Sequence, residues 1–428
     1  MTNYNLTFII AYVSDKLVLE SLCNMTSIRK QKTLKQANRK AILNVLRNSG
    51  EISIADLSKE VNLSKQTLMK IMNYYTKNGM VIIAGKGNST EEGGKKPNIY
   101  KFNTDGGYAI GMVISANRLF SVITDLKSKI LDEISVALEA DEEFDSVLQK
   151  IIDSYNYLTK NPEINKERIT GLAIGAYGIT DFTQGKVIFS PHFPSWGKDL
   201  MLKEKIMERI PEDIPVMVDN HSRFQVFAEK ILGLAKDKNN VVALQAGKGL
   251  VAGVIIENEI KRGNHSLIGE IGHMIVDPEG REICLCGGKG CFEALVSTSR
   301  ILRTAKEKYK EYPDSVIFNN NGPDGIDIYD VFDASNKGDK LALYLMDDVI
   351  NWFGIGISNI ILMYDPQVMI IQGIFTKAGK YFIENLRKKI NKISLFSIKR
   401  ETEIKYSELD DKAGVLGAAS FVLSRYFE

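Results

Sequence analysis

Cysteine and histidine are both scarce in this chain, four of each in 428 residues. Nothing marks the chain as secreted, so a disulfide-stapled scaffold is excluded. No apolar run approaches the length of a bilayer span, and no membrane partner is expected. The first 25 residues include an apolar patch, Leu6 to Val13, but they lack the basic n-region and small-residue cleavage site of a signal peptide. Residues 1–25 read instead as a disordered extension or a mis-assigned start, with Met25 opening a more conventional one. The expected location is the cytoplasm. An excess of either charge is missing too, the formal net charge being +2.

That balance hides a division. Thr26 to Phe102 holds 15 Lys and Arg against 5 Asp and Glu, about +10, which leaves about −8 for the remainder. A basic module joined to an acidic one suggests a polyanion-binding head on a domain with another task. The length agrees, because 428 residues exceed one ordinary core and predict two or three domains.

The basic module has a legible pattern. Leu34, Ala37, Ala41, Ile42, Val45 and Leu46 recur at three- and four-residue intervals, predicting an amphipathic helix over 34–48. Ser53 with Asp56 reads as a capping box for a short helix whose inward face is Leu57 and Val61. Asn62-Leu63 is a tight link, and Ser64 is an N-cap for a second helix. That helix turns Leu68, Ile71, Met72 and Tyr75 inwards and Lys65, Gln66, Thr67, Lys70 and Asn73 outwards. Two short helices so joined form a helix-turn-helix, with donors and acceptors for base edges at the start of the second helix. Lys70 and Lys77 are placed to reach phosphates. Residues 80–102 then read as two strands around a Gly-rich loop, a wing, with Lys95 and Lys96 near its base.

The most informative stretch is Gly269 to Glu293, GEIGHMIVDPEGREICLCGGKGCFE. It holds Cys284, Cys286 and Cys291, with His273 eleven positions upstream. Three thiolates and a neutral imidazole would close a tetrahedral Zn²⁺ shell with no open position, hence a structural site. Gly287, Gly288 and Gly290 allow the turns that such convergence needs. The competing reading is three ordinary thiols in a loop. Glu270 and Glu293 flank the presumptive ligands, where a carboxylate pair accepts hydrogen bonds from vicinal hydroxyls; solvated surface acids are the bland alternative. The implied ligand is a sugar.

From Gly106 onwards strands alternate with helices, an α/β pattern whose elements recur after Asn239. Glu-Ile-Gly-His followed by Cys-x-Cys-Gly-x-x-Gly-Cys-x-Glu resembles the signature of the ROK family, which groups sugar kinases with sugar-responsive repressors. The turn Leu63-Ser64-Lys65-Gln66-Thr67 and Gly94-Lys95-Lys96-Pro97 likewise resemble the winged helix of ROK repressors, with lysines where the wing's arginines usually stand.

The resemblance implies an N-terminal winged helix-turn-helix, mainly α, over 26–103. An α/β actin-like (ribonuclease H-like) two-lobed ROK domain follows over 104–428, with lobes at about 104–220 plus the C-terminal helix and at 221–412. It implies Zn²⁺ on His273, Cys284, Cys286 and Cys291, and a sugar on Asn220, His221, Glu270, His273 and Glu293. It also implies operator DNA on Lys65, Gln66, Thr67, Lys70, Lys95 and Lys96, and a homodimer or homotetramer.

Kinase members carry Asp-x-Gly-Gly-Thr after the first strand, where small residues admit ATP phosphates. This chain has Val113, Ser115, Ala116 and Asn117 there. Lys248 replaces a hydroxyl residue in the second glycine-rich loop, and Gln372-Gly373-Ile374 reduces a Gly-Gly pair. In the Asn-Asp-Ala-Asn segment, His221 replaces the catalytic aspartate and Arg223 the second asparagine. Tyr177 stands for a proline and His192 for an asparagine on the sugar side. No catalytic residue is therefore assigned, and the expected function is a repressor of carbohydrate-utilisation genes. A sugar kinase with a regulatory head is the alternative.

Overall fold

The computed structural model describes residues 38–39, 41–87, 96–210, 213–319, 322–391 and 402–427. The expected extension at 1–25, the start of the helix predicted over 34–48, and Lys95 lie outside them. Two compact units emerge. One comprises Met1–Gly107 with Asp125–Lys127 and Leu423–Glu428, the other Tyr108–Thr124 with Ser128–Val422.

In the first unit, α1 (residues 41–48) leads to β1 (Glu51–Ser53), α2 (Ile54–Val61), α3 (Lys65–Lys77), β2 (Val81–Lys86) and β3 (Asn98–Phe102). Helix α2 starts where Ser53 Oγ accepts the Asp56 amide, and stops where Asn62 takes the left-handed conformation at φ 51°. Ser64 Oγ accepts the Thr67 amide and restarts the chain as α3. The inward residues read from periodicity, Leu68, Ile71, Met72 and Tyr75, are all buried, as are Ile42, Leu46 and Leu57. Strands β2 and β3 are the antiparallel wing. Three-residue β1 adds a third strand, giving the order β1-β3-β2; it is too short to show a period in the sequence. From the far end of the chain, Phe427 packs its ring 6.4 Å from that of Phe102, under the Arg47 guanidinium.

The second unit repeats one topology. Strands β4 (Tyr108–Ile114), β5 (Arg118–Thr124) and β6 (Ile130–Ala137) form an antiparallel meander, followed by α4 (Phe144–Thr159). Strand β7 (Ile169–Ala176) runs parallel to β4. The hairpin of β8 (Ile179–Asp181) and β9 (Lys186–Phe189) and helix α5 (Leu202–Met207) precede β10 (Val216–Asn220), parallel to β7. The sheet order is β10-β7-β4-β5-β6. After α6 (His221–Ile231), β11 (Val241–Ala246), β12 (Leu250–Ile256) and β13 (Glu259–Ile260) make a second meander. Helices α7 (Phe292–Val296), α8 (Thr298–Glu307), α9 (Ile328–Asn336) and α10 (Lys340–Tyr364) intervene before β14 (Val368–Gly373). Helix α11 (Gly379–Asn391), β15 (Glu403–Tyr406) and α12 (Ala413–Tyr426) complete the chain. Its order, β13-β12-β11-β14-β15, repeats the first.

The two repeats exchange their last helices. Helix α6 lies on β12, where a Cβ on Gly253 would stand 2.1 Å from Ser222 O, and α12 lies on β4, where one on Gly111 would stand 2.1 Å from Val415 O. Only glycine permits either approach. His221, at the first position of α6, stays against β7 of the first sheet, where a Cβ on Gly175 would stand 3.1 Å from its Cα.

Helix α10 is an exception to the absence of membrane-length apolar runs. Its best window reaches a mean hydropathy of 1.2, and 61% of that window is buried inside the protein. Phe353 of α10 packs edge-on to Phe292, Phe375 and Phe382, so the helix is apolar because it is the spine of the second lobe's core.

Candidate metal centre and ligand cleft

His273, Cys284, Cys286 and Cys291 converge, their ligand atoms lying within 4.8 Å of one another. Cys284 Sγ is 3.7 Å from His273 Nδ1, and Cys286 Sγ 3.8 Å from Cys291 Sγ. Ligands about 2.0–2.3 Å from a shared tetrahedral centre stand about 3.5–3.8 Å apart, so the spacing fits one zinc ion. A small hairpin builds the knuckle, with the Cys284 amide donating to Gly288 O and the Val276 amide to Gly290 O. Gly287 and Gly290 adopt φ 86° and 70°, and a Cβ on Gly290 would strike Asp277 O at 1.9 Å. Two of the glycines singled out in the sequence, Gly287 and Gly290, are thus required. Burial pushes the Cys284 thiol up to about 12 and also raises Cys291, whereas the Gly288 amide lowers Cys286. A bound divalent cation reverses that penalty, because it deprotonates coordinating thiols.

Glu270 precedes the turn Ile271–His273, and Glu293 lies at the second position of α7. Glu293 Oε2 accepts the Leu250 amide at 2.8 Å, and its Oε1 is 3.8 Å from Cys284 Sγ. The Glu270 turn is pressed on β12, with the Ala252 amide donating to Gly269 O at 2.8 Å. Burial raises the Glu270 carboxyl above its ordinary value, against the opposing pull of His273 and Arg223. Glu270, His273 and Glu293 therefore share one wall, built on the metal knuckle and the first residues of β12.

The head of α6 adjoins it, since Ser222 Oγ lies 3.2 Å from Ala252 O. Asn220 caps α6: its Oδ1 accepts the Ser222 amide and hydroxyl at 2.8 and 2.7 Å, and its Nδ2 donates to Gly178 O at 2.7 Å. One N–H of the amide remains for a ligand. His221 is 4% exposed, and its ring stacks on that of Tyr177 at 3.7 Å and 27°. Both of its ring nitrogens are buried, and the Ala176 carbonyl is the backbone acceptor beside the ring. Burial lowers its pKa to about 3, so the ring is neutral.

Asp219 and Arg223 form a network that the sequence did not announce. Asp219 is fully buried, accepting from Arg223 Nη1 at 2.6 Å and from Arg262 Nε at 2.8 Å. Arg223 Nη2 donates to Ser266 O at 2.7 Å. Arg223 is thus held by the Asp219 pair, not by the cleft. A buried carboxylate beside an arginine four positions on was the available signal, but Arg262 is 43 residues away from Asp219.

At the positions compared with phosphate loops, Ser115 Oγ donates to Arg118 O at 2.8 Å and closes a tight hairpin. Arg118 pairs with Asp411 at 2.8 Å, and Val113 packs under Gly414. Gln372 Nε2 donates to buried Glu229 at 2.9 Å. Lys248 is exposed.

On the helix-turn-helix, Lys65, Gln66, Lys70 and Asn73 are exposed, as is Lys96 at the wing. Thr67 differs from expectation, being half-buried with its hydroxyl 3.0 Å from Ser64 Oγ, because the cap draws it inwards. Met69, 54% exposed on the same outer face, went unread because an apolar residue in an amphipathic pattern is assigned to the core.

Residues 110–425 match the model of the ROK family, and residues 36–82 match that of a winged helix-turn-helix DNA-binding domain. A putative xylose repressor from Caldicellulosiruptor sp. is 28% identical over 391 residues, 91% of this chain and 96% of its own length. A glucokinase from Thermotoga maritima is 32% identical over 255 residues, 59% of this chain and 79% of the glucokinase. Among solved structures, a ROK family transcriptional regulator described as a homolog of the E. coli MLC protein superposes with a TM-score of 0.79 at 24% identity, covering 92% of this chain and 97% of its own.

Proposed function

The chain belongs to the ROK family and carries a winged helix-turn-helix at its head, and from that premise we propose a DNA-binding transcriptional repressor of carbohydrate-utilisation genes, controlled by a monosaccharide. The observation that carries this reading is a cleft wall of Glu270, His273 and Glu293 beside a head of α6 where buried, neutral His221 stands in the place of a catalytic carboxylate. That wall supports hydroxyl binding, and a histidine whose pKa burial lowers to about 3 is a weak proton acceptor for phosphotransfer. The similarity to a putative xylose repressor over 91% of the chain supports the same reading and makes xylose the first sugar to test.

In this reading the operator is gripped by 26–103, through Lys65, Gln66, Thr67, Lys70, Lys95 and Lys96. The two-lobed domain, 104–428, holds the sugar on Asn220, His221, Glu270, His273 and Glu293. Zinc on His273, Cys284, Cys286 and Cys291 fixes the knuckle, and with it the position of both glutamates. The repressor acts in the cytoplasm as a homodimer or homotetramer, since two recognition helices gripping two half-sites must stand about one helical turn apart. Sugar shifts the angle between the lobes and changes that spacing, to the extent that it binds one arrangement more tightly than the other.

Electrophoretic shifts on the DNA upstream of the gene, with and without sugar, test the proposal. A specific shift that sugar alters is the expected result; no specific shift at moderate salt refutes it. The similarity to a glucokinase supports one other reading, a kinase with a regulatory head. A coupled ATP-consumption assay over a sugar panel decides between them, and turnover at an ordinary enzymatic rate would overturn the repressor.

A further inference from the structure

Along its exposed side α3 carries Lys65, Gln66, Lys70, Asn73 and Lys77, and among them Met69, which is 54% exposed. The other exposed apolar residue of α3, Tyr74, is covered by the Arg39 guanidinium, 4.2 Å from its ring centre. Met69 has Lys65 and Gln66 four and three positions before it and Asn73 four after, the spacings that set helix side chains next to one another. It therefore stands among the polar side chains of that face. A lone exposed methionine is nothing unusual on most surfaces. This one stands on the second helix of a helix-turn-helix, within residues 36–82 that match a winged helix-turn-helix DNA-binding domain, and in such domains that helix enters the major groove.

Helix α3 contains three lysines and no carboxylate, so its exposed face is complementary to a polyanion. In duplex DNA the apolar group displayed at the base edges of the major groove is the C5 methyl of thymine; the other three bases present hydrogen-bonding atoms there. An unbranched, polarisable thioether chain packs on such a methyl without the directionality that a hydrogen bond demands. The helix rises about 1.5 Å per residue, which sets Met69 about 4.5 Å further along α3 than Gln66, the span of one or two base pairs at about 3.4 Å each. We propose that Met69 reads a thymine methyl, one or two base pairs from the base that Gln66 reads, and so specifies an A·T pair in each half-site of the operator. This rests on the DNA-binding reading above and adds a base-specifying residue to its polar and basic contacts.

The test uses the full-length protein and a random-sequence duplex library, from which repeated binding and amplification recover the preferred half-site. Within the recovered duplex each thymine is replaced in turn by deoxyuridine, which differs only by the methyl group. At one position per half-site the parent protein is expected to lose about fourfold in affinity per methyl, the worth of one buried carbon. Met69→Ala should bind the thymine and uracil duplexes within about 1.5-fold of each other, and Met69→Leu, which keeps an apolar chain, should still prefer thymine by at least about twofold. Gln66→Ala should weaken both duplexes yet retain the thymine preference, which separates a methyl contact from a general loss of the interface. Alanine and leucine are both good helix formers at an exposed position, and melting curves check that the variants fold. The proposal is overturned if no methyl matters to the parent by more than about 1.5-fold, or if Met69→Ala keeps the preference. A Met69→Ala protein that keeps the preference but forms a smaller assembly in light scattering would assign the methionine to a contact between copies, against the proposal. Recovery of no preferred sequence would overturn the repressor reading itself and this inference with it.

Discussion

Replacing Asp219 by asparagine should destabilise the two-lobed unit more than any exposed change near the cleft. Asp219 is fully buried, and Arg223, beside it at 2.6 Å, is 2% exposed. Asparagine keeps the shape and removes the charge. Arg223 then has only neutral acceptors, the substituted amide oxygen, Ser266 O at 2.7 Å and Thr180 Oγ1 at 3.4 Å. Breaking a buried pair by removing one partner costs about 3–5 kcal/mol, because the remaining charge stays out of water. Arg262 is spared that cost, since its side chain is 23% exposed and lies over the Phe182 ring. For a unit of roughly 300 residues the entropy of melting is about 0.6 kcal/mol/K, so Tm should fall by about 5–8 °C. Differential scanning calorimetry reads this directly. Adding Arg223→Met removes the stranded charge and should restore more than half of the loss, a non-additivity that a double-mutant cycle measures. An Asp219→Asn protein melting within about 1 °C of the parent would refute the reasoning, as would strictly additive effects.

Other expectations follow from the same geometry. Protein purified without added metal should contain about one zinc per chain, and Cys286→Ser should lose both zinc and thermal stability; equal Tm without zinc would exclude a closed structural site. His221 takes up its proton near pH 3 when folded and near 6.5 when unfolded. Between those values the unfolded chain binds the extra proton, so acidification below 6.5 removes stability at up to about 1.4 kcal/mol per pH unit. His221→Phe should lack that component in urea unfolding at pH 6.5 and 5.5, and equal losses in the two proteins would exclude it. Gln66→Ala should weaken operator binding by about 1–3 kcal/mol with little effect on random DNA. Lys70→Ala should weaken both and lower the salt slope by about 0.9. Titrations at several salt concentrations separate the two, and identical behaviour of the variants would contradict the assigned roles.

Much of this was legible along the chain because the signals are local. The recognition helix shows its buried face as Leu68, Ile71, Met72 and Tyr75, within two turns, and its cap at Ser64. The Cys/His knuckle is equally local, since its four candidate ligands fall within nineteen residues, between His273 and Cys291, and Gly287 and Gly290 mark where the backbone must turn. The carboxylates Glu270 and Glu293 were readable because they sit at the margins of that knuckle. What failed to show were elements with no period, such as three-residue β1, and residues whose role is set by a distant neighbour. Met69, too, went unread, apolar in sequence and exposed in space.

The sequence by itself determined the basic head, the α/β texture and the convergence of one histidine with three cysteines, because caps, periodicity and ligand spacing act over a few residues. Tertiary structure alone decided that Asp219 faces two arginines, that Asn220 spends most of its amide on the backbone, and that His221 lies under Tyr177, 44 positions away in the chain. The exchange of α6 and α12 between the two sheets brings these groups together. That exchange turns on contacts between helices nearly two hundred residues apart, such as Gly417 against Phe224, which no local pattern encodes.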